Sequence, residues 1–432
     1  VDHAYFQVPE LRGFESFAIG RPAEDMPQIT SRICGVCPMA HHMAATKALD
    51  DLYKVEVAPA GRVIRELVYN GFTFEDHALH FFYLGKRVIA TRREVREMIS
   101  TIGGKIIHPV LGLPGGVARP VSEDEQKTFI DITERAVDFG QFTLQVFRDI
   151  VLANDEYVGH ITSDAYTHQT YYMGMVDDNN HVNFYDGQLR VVGPDGSERL
   201  TFDPRDYAQH IAEHVEPWSY IKFCYLKDIG WKGFEDGADS GVYAVAPLAR
   251  LNAADGMPTP LAQQAYDEFF ETLGGKPVHH TLANHWARVI ELLCAAERMR
   301  DLAKDERLTD RKIRNIPTQT PTEGVGVVEA PRGTLFHHFQ TDDNGIITMA
   351  NLIVATQNNA ARIAMSVDRA AKGLIKKGEI NDGILNMIEM AFRAYDPCHG
   401  CATHALPGQM PLVVRVYDAK HELVNELKRD QG

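Results

Sequence analysis

Two C-x-x-C pairs near opposite ends of the sequence set the strongest limit on how this chain folds. The first pair is Cys34 and Cys37 in SRICGVCPMAHH, and the second is Cys398 and Cys401 in YDPCHGCATH. A two-residue spacing lets both sulfurs of a pair face one ion. A single pair is also typical of a redox-active dithiol, half of a zinc site or two buried small side chains. Two pairs together favour a metal site, although structural zinc also takes four cysteines.

The separation of the two pairs argues against a small zinc module. Zinc ribbons place their pairs about 15–20 residues apart, whereas residues 38–397 separate these two. Each pair therefore anchors to a different end of a large fold, and a shared site would lie deep in the core. Four thiolates are soft ligands that suit nickel, iron or zinc rather than magnesium. The residues alone leave the choice among those three metals open.

The composition predicts a large globular fold with no nucleic-acid partner. Of the 432 residues, 44% are hydrophobic, which is enough for a sizeable core and argues against disorder. The formal net charge of -15 disfavours nucleic acid and anionic membranes as partners. No apolar run reaches about 18 residues, so we expect no membrane span. Six cysteines in so long a chain do not require disulfides, which fits a reducing cytoplasm.

Most of the chain is predicted to be helical. Residues 122–153 show the pattern most clearly, because Ser122 and Glu125 form a capping box and the apolar residues after them recur on one face. Helices are also expected over 58–100, 281–303, 349–377 and 383–394.

Two segments have strand character instead. The segment VNFYDGQLRVV (182–192) is rich in β-branched and aromatic residues and carries an Asp-Gly turn, and the tail after His404 resembles a short hairpin. The predicted fold class is therefore mainly α, a large buried helical bundle with a smaller mixed α/β insertion. We divide the chain into a helical core with the first pair (1–164), the insertion (165–250), a helical core with the second pair (251–404) and a C-terminal extension (405–432).

The surroundings of the two pairs resemble a known family. The patterns R-x-C-G-x-C-x-x-x-H and D-P-C-x-x-C-x-x-H are the paired signatures of nickel–iron hydrogenase large subunits. Segments RGFE, EDHALHFFYL, EPWSYIKF and EAPRG between the pairs also resemble blocks of that family, so the likeness covers nearly the whole chain. The residues that match the two signatures are Arg32, Cys34, Gly35, Cys37 and His41 near the start, and Asp396, Pro397, Cys398, Cys401 and His404 near the end.

The resemblance implies a Ni-Fe(CN)2(CO) cluster that cleaves or forms dihydrogen heterolytically. Cys34 and Cys398 would bind nickel terminally, and Cys37 and Cys401 would bridge nickel to iron. Thiolates give electron density to the metals, and a terminal thiolate can take the proton. A structural four-cysteine zinc site is the alternative.

Further site residues follow from the same resemblance. Arg332 in EAPRG would hydrogen-bond the iron ligands through its planar guanidinium, with Asp76 and Asp396 balancing its charge. His41 would donate to a cluster sulfur, and Thr356 would face a cyanide. The family usually has Pro before this Thr and Thr-Trp after it, whereas this chain has Ala355, Gln357 and Asn358. Each of these residues also has an ordinary interpretation, such as a surface arginine or a buried, hydrogen-bonded histidine.

A second metal is implied as well. Glu15 in RGFE, the backbone carbonyl of Leu352 and His404 resemble the magnesium site of the family. Carboxylate and carbonyl oxygens are hard donors that suit Mg²⁺, while an imidazole is a less typical ligand. Taken alone, Glu15 would be read as a surface carboxylate.

The cysteine count also predicts partners. Cys224 and Cys294 stand alone and are expected in the core, so the chain has no cysteines left for an electron-transfer cluster. The resemblance implies two kinds of partner: a small subunit with iron–sulfur clusters, and further electron-transfer subunits of the heterodisulfide-reductase type or the NAD-reducing diaphorase type. Between the cytoplasmic groups that the chain resembles, we favour the coenzyme-F420-non-reducing one over the NAD-reducing one. The extension after His404 resembles the tail that a maturation protease removes in many precursors.

A further departure from the family pattern and two alternative interpretations remain. The family carries an Arg-x-Glu-Gly-His segment upstream of RGFE whose Glu relays the proton, and this sequence does not contain it. Either the chain starts after that segment or its proton path differs. The alternatives to a matured hydrogenase are a metal-free, uncleaved precursor and a cluster-less relative of the quinone-site subunit of respiratory complex I. The four cysteines argue against the latter.

Overall fold

The computed structural model describes residues 1–9, 12–398, 401 and 412–429. Among the described residues, far more lie in helices than in strands, so the mainly α prediction is confirmed. They are α1 Phe14–Ala18, α2 Met26–Thr30, α3 Pro38–Leu52, α4 Pro59–His80, α5 Lys86–Gly103, α6 Glu123–Phe147, α7 Asp155–Ile161, α8 Tyr207–His210, α9 Pro247–Ala253, α10 Pro260–Thr272, α11 Asn284–Ala303, α12 Ala355–Asn358, α13 Ala360–Leu374 and α14 Asp382–Arg393. None of these helices is long and apolar enough to cross a bilayer.

Helix α11 is the centre of the helical body and packs against α4 and α6. It is buried on nearly all sides, as expected for a helix whose apolar residues do not keep to one stripe. Gly140 of α6 allows the close approach, since a Cβ there would lie 3.0 Å from the Leu293 side chain. Helix α6 begins at the predicted capping box of Ser122 and Glu125 and continues as a π-helical turn, Arg148–Leu152.

The strands are β1 Gly112–Leu113, β2 Gly116–Val117, β3 Tyr171–Val176, β4 Gln188–Val192, β5 Glu198–Phe202, β6 Ile211–His214, β7 Phe223–Leu226, β8 Tyr243–Ala244, β9 Glu323–Ala330, β10 Gly333–Thr341, β11 Ile347–Ile353, β12 Leu412–Tyr417 and β13 Leu423–Arg429. The insertion contains a four-stranded sheet in the order β5-β4-β3-β8 and the β6-β7 hairpin. Within the predicted strand region 182–192, only β4 is a strand, and it pairs with β3 and β5. The tight turn at residues 193–197 joins β4 to β5, whereas Asp186 and Gly187 stand at the end of the longer connection from β3 to β4.

An antiparallel sheet in the order β11-β10-β9 lies inside the part predicted as the second helical core. The predicted helix over 349–377 is therefore wrong at its start, because β11 occupies 347–353 and α13 begins only at Ala360. The apolar run of β11 pairs along β10, and periodicity alone cannot separate such a short buried strand from a helix.

Helix α3 lies directly on strand β9. A Cβ at Gly324 would lie 2.2 Å from the Ala48 carbonyl oxygen, and one at Gly326 would lie 2.0 Å from that of Ala44. The two contacts run in opposite directions along the two elements, so the start of α3 lies near the end of β9. This packing brings the first cysteine pair beside the β9–β10 turn, residues 330–333.

The described part of the C-terminal extension is the predicted hairpin, in which β12 pairs with β13. Its residues Tyr417, Leu423 and Val424 expose more than half of their surface, at 54%, 53% and 65%. His404 and the rest of 402–411 lie outside the described residues. The four-part division of the chain stays a prediction.

Candidate metal centre

The four cysteines of the two C-x-x-C pairs come together in one place. Cys37 caps the start of α3, and Cys398 and Cys401 follow α14. The sulfur of Cys34 lies 3.1 Å from that of Cys398, and the sulfur of Cys37 lies 3.4 Å from that of Cys401. All four sulfurs are within 4.8 Å of one another. Two distant chain segments thus supply one compact set of thiol ligands.

Backbone N–H groups support negative charge on the first pair. The N–H groups of Val36 and Cys37 point at the Cys34 sulfur, at 3.3 Å and 3.0 Å. Cys37 itself stands at the N-terminus of a 15-residue helix, where the macrodipole favours an anion. Thiolate ligands are therefore favoured by the local backbone before any metal is considered.

Mutual contacts make four simultaneous thiolates costly in the absence of a cation. Hydrogen bonds to the Cys34 sulfur raise the pKa of Cys37 and of Cys401 well above the usual value, while the same kind of bond lowers the pKa of Cys398. Four thiols this close together cannot all be ionised unless a positive ion lies among them. The donor set therefore fits soft metal ions held between the two pairs.

Arg332 lies over the cysteines at the β9–β10 turn and is held by two aspartates. Its Nη1 donates to Asp76 Oδ2 at 3.1 Å, its Nη2 lies 2.9 Å from Asp396 Oδ2, and its Nε donates to the Asp396 carbonyl at 2.6 Å. These bonds use three of its five N–H groups, and the other two have no partner among the described residues. They remain available to a ligand beside the sulfurs.

The two aspartates differ in protonation. Burial raises the pKa of Asp76 to about 7, although the Arg332 guanidinium opposes the shift. Burial also disfavours ionisation of Asp396, but Arg332 holds the pKa of that carboxyl below its usual range. Asp76 Oδ1 is buried without a hydrogen-bond partner in the described part of the chain. Asp396 is thus the ionised partner of Arg332. Asp76 titrates near pH 7, so its carboxyl group is partly protonated at that pH.

Thr356 and His41 complete the rim of the sulfur cluster. The N–H of Cys398 donates to the Thr356 hydroxyl at 3.1 Å, which leaves the hydroxyl hydrogen free to donate elsewhere. His41 Nε2 lies 3.8 Å from the Cys401 sulfur, and its Nδ1 lies 3.1 Å from His337 Nε2. Burial lowers the pKa of His41 to about 4, so the ring is neutral near pH 7. A neutral His41 that donates to Cys401 accepts from His337.

A small cavity adjoins the sulfurs on the side of Arg332 and Thr356. Its walls combine these two polar residues and three of the cysteines with the side chains of Ala330, Leu335, Val354 and Ala355. An apolar wall with two hydrogen-bond donors suits small diatomic ligands that accept hydrogen bonds at one end. The departures Gln357 and Asn358 leave the hydroxyl of Thr356 at the cavity.

The residues expected to bind magnesium are also close together. The N–H of Leu352 donates to Glu15 Oε1 at 3.0 Å. Both residues line a cavity of about 300 Å³ that reaches Thr356 and Cys401. The third expected ligand, His404, lies outside the described residues. The Glu15 carboxylate therefore lies against the Leu352 backbone, beside a cavity that Cys401 also lines.

Sequence reasoning missed a fully buried charge network beneath the cluster. Arg250 of α9 binds Glu291 of α11 through two bonds of 2.6 Å and Glu329 of β9 at 3.0 Å, and His77 lies 3.0 Å from Glu291. All four side chains are inaccessible to solvent. The sequence feature that could have revealed this network is the charged Glu291 inside the apolar run VIELLCAA. A charged side chain is seldom buried without a partner.

The chain is similar to a known protein family and to known proteins over most of its length. The model of the nickel-dependent hydrogenase family matches residues 12–86 and 237–404. An iron–sulfur subunit of the F420-non-reducing hydrogenase of Archaeoglobus profundus is 43% identical, and the match covers 99% of this chain and 94% of that protein. The β subunit of the NAD-reducing hydrogenase HoxS of Cupriavidus necator is 37% identical, and the match again covers 99% of this chain and 94% of that protein.

A solved structure gives the same result for the fold. The structure of an NAD+-reducing [NiFe]-hydrogenase in its H2-reduced state superposes on this chain with a TM-score of 0.86. It is 34% identical in sequence, and the match covers 93% of each chain. A match of this extent includes most of the helical body and most of the insertion.

Proposed function

Since the chain belongs to the nickel-dependent hydrogenase family, we propose that its four converging cysteines hold a Ni-Fe(CN)2(CO) cluster at which dihydrogen is cleaved or formed. The chain is the catalytic subunit of such an enzyme, an oxidoreductase that acts on H2. The observation that carries the proposal is the set of four sulfurs within 4.8 Å of one another. A cluster-less relative would have no reason to keep them.

Each cysteine has a proposed role. As terminal ligands Cys34 and Cys398 would hold nickel, and Cys37 and Cys401 would be the ligands shared by nickel and iron. When bound, this group would supply the Lewis-acidic metals that polarise dihydrogen for heterolytic cleavage. The chain contributes thiolate sulfurs that can accept the proton, and the N–H groups at Cys34 stabilise the negative charge of its sulfur.

Five further side chains would orient the iron ligands and fix the charge around the cluster. Arg332 offers its two unused N–H groups to the cavity, and Thr356 offers its hydroxyl hydrogen. Asp76 and Asp396 hold the guanidinium in place, and His41 supports the Cys401 sulfur. Preorganised donors in a water-poor site stabilise developing negative charge strongly.

We also propose a magnesium ion near the cluster. Glu15 and the carbonyl of Leu352 supply hard oxygen ligands, and His404 is the proposed third ligand. The short distance between the Glu15 carboxylate and the Leu352 backbone supports this assignment. The structural contribution of such an ion would be to tie α1 to β11.

Metal analysis of the purified complex is the test of the proposed function. We expect about one nickel and one magnesium per chain, and about one iron beyond the iron of the small subunit's clusters, because the donor set provides one soft site and one hard site. Atomic emission spectrometry measures all three metals in one sample. Zinc as the only transition metal in a preparation that turns over H2 would overturn the proposed cluster.

The proposed assembly includes an iron–sulfur small subunit. The four cysteines are the only group of three or more possible metal ligands found in the described part of the chain, and Cys224 and Cys294 are buried singly. Electrons must therefore leave through another polypeptide. Further partners are an electron-transfer protein, of the heterodisulfide-reductase type or the NAD-reducing diaphorase type, and a maturation protease if the extension is cleaved. The low cysteine content supports a cytoplasmic location.

An exposed apolar surface next to the first cysteine pair is the proposed docking site of the small subunit. Val36 is 42% exposed although its neighbours Cys34 and Cys37 are buried, and Ile106, Ile107 and Val110 are 46–48% exposed. The 104–110 loop is tied to the segment before Cys34, since His108 Nδ1 donates to the Ser31 carbonyl at 3.1 Å. An apolar surface beside a redox site fits an electron-transfer interface.

Replacing both loop isoleucines by aspartate should separate the subunits. We expect Ile106→Asp/Ile107→Asp to weaken binding of the co-expressed iron–sulfur subunit by at least about 100-fold, because burying each Ile contributes roughly 1.5–3 kcal/mol. Native mass spectrometry measures the complex, and metal analysis should show nickel unchanged. The control is Ile150→Asp/Val215→Asp, which alters two other exposed residues. Equal complex formation by both double variants would place the interface elsewhere.

A further inference from the structure

The backbone of the turn that carries Arg332 is held by buried side chains at three successive carbonyl groups. The turn joins β9 to β10 and contains Pro331, which has no N–H to donate, and Gly333, whose φ is 132°. Arg250 Nη1 donates to the Ala330 carbonyl at 2.9 Å, and Arg250 Nη2 donates to the Pro331 carbonyl at 3.0 Å. Asn359 Nδ2 donates to the Arg332 carbonyl at 2.7 Å.

The side chain that holds the first two carbonyls is itself fixed on both sides. Glu291 binds Arg250 through two oxygens, and Glu329 binds it from the strand that enters the turn. Glu329 in turn accepts hydrogen bonds from the Met175 N–H at 2.9 Å and the Thr334 hydroxyl at 2.8 Å. A planar guanidinium with all its acceptors in place allows very little rotation.

Asn359, which binds the third carbonyl, is also fixed in its orientation. It is 1% exposed and stands immediately before α13. Its Oδ1 accepts the Val245 N–H at 2.9 Å, so the amide has a fixed orientation that points Nδ2 at the Arg332 carbonyl. The amide thus connects the turn to the segment between β8 and α9.

We propose that Arg250 and Asn359 are positioning residues that set where the Arg332 guanidinium lies above the cysteine sulfurs. They touch neither the sulfurs nor the cavity beside them, and they act through the backbone of residues 330–332. The inference rests on the proposed function, because it gives these residues a role in the chemistry assigned to Arg332. A displacement of a catalytic group by about 1 Å can lower a rate by roughly 100-fold.

Asn359→Asp is the first test, made in the complete hydrogenase complex. Aspartate keeps the shape and the acceptor for Val245 but loses the donor to the Arg332 carbonyl. We expect nickel and iron contents equal to those of the wild type, H2 turnover lowered by about 10- to 100-fold, and shifted infrared bands of the cyanide ligands as the Arg332 N–H groups move. The matched control is Asn252→Asp, because buried Asn252 also accepts from and donates to a backbone, at Val278.

The double variant Asn359→Asp/Arg332→Lys shows whether Asn359 acts through Arg332. Residues that act as a unit give non-additive losses, so the double variant should be no slower than Arg332→Lys alone. Losses that multiply, or equal turnover and unshifted bands in Asn359→Asp and Asn252→Asp, would overturn the inference. A wild-type complex without nickel or H2 turnover would instead overturn the proposed function.

Asn359→Ser guards against a folding defect in the first variant. Serine removes the amide donor without placing a carboxylate in the core, and we expect the same infrared shift and a similar loss of turnover. If both variants lose nickel as well, Asn359 supports the fold rather than Arg332, and the inference is wrong.

Discussion

Cys398→Ser should abolish H2 turnover and lower bound nickel at least tenfold, and Cys34→Ser should do the same. A serine hydroxyl is a harder ligand than a thiolate and stays protonated near neutral pH, so the site loses one of its four soft donors. The helical body should stay folded, because Cys398 packs at the edge of the core and the main helices make their contacts elsewhere. Metal analysis, H2-dependent dye reduction and circular dichroism measure the three expectations.

Cys294→Ser is the matched control for both variants. Cys294 is a buried thiol of α11 and is not part of the four-sulfur group. The same sulfur-to-oxygen change should leave nickel content and turnover per nickel within a few-fold of the wild type. Full nickel and full activity in Cys398→Ser would show that this sulfur is not a ligand of the reacting metals.

Arg332→Lys should assemble the cluster and yet lower turnover by roughly two to three orders of magnitude, the usual cost of removing a preorganised donor. Arginine reaches Asp76, the Asp396 carboxylate and the Asp396 carbonyl at once and still has two N–H groups for the cavity. A lysine ammonium is a point charge that cannot serve all of these acceptors. Nickel content should not change, since Arg332 binds no metal.

Arg65→Lys is the control for the loss of a buried guanidinium. Arg65 is fully buried, binds Asp50 and donates to the Gly116 and Leu113 carbonyls. Its replacement should lower the melting temperature but leave turnover per nickel unchanged. Wild-type turnover in Arg332→Lys, measured by H2-dependent dye reduction, would remove Arg332 from the surroundings of the reacting metals.

The fold could be predicted from the sequence wherever local pattern and tertiary structure agree. The capping box at Ser122 and the one-sided apolar pattern after it predict α6, and the structure has the helix at that position. Strand β11 shows the opposite case, because its apolar run becomes a strand only by pairing with β10. Strand pairing is a contact between distant segments, so a short stretch of sequence does not reveal it.

The candidate site likewise contains residues that the sequence reveals and residues that it does not. The cysteines, Arg332 and Asp76 stand in motifs whose spacing and neighbours carry the resemblance, and the structure brings them together. Arg250 and Asn359 stand in no such motif, and their importance comes from the carbonyl groups they face. Hydrogen bonds to backbone oxygens do not depend on the identity of the accepting residue, so they leave little trace in a sequence.

The meeting of Cys34 with Cys398 also has a consequence for the timing of biosynthesis. A ribosome adding about 5–20 residues per second needs roughly 20–70 s to travel from the first half of the site to the second. During that interval Cys34 and Cys37 are two thiols without their partners, open to oxidation or to capture by a stray zinc ion. The complete set of four thiols does not exist until Cys401 has been synthesised. A cluster bound there would close a loop between Cys37 and Cys398, and the described helices α3 to α14 all lie within that loop.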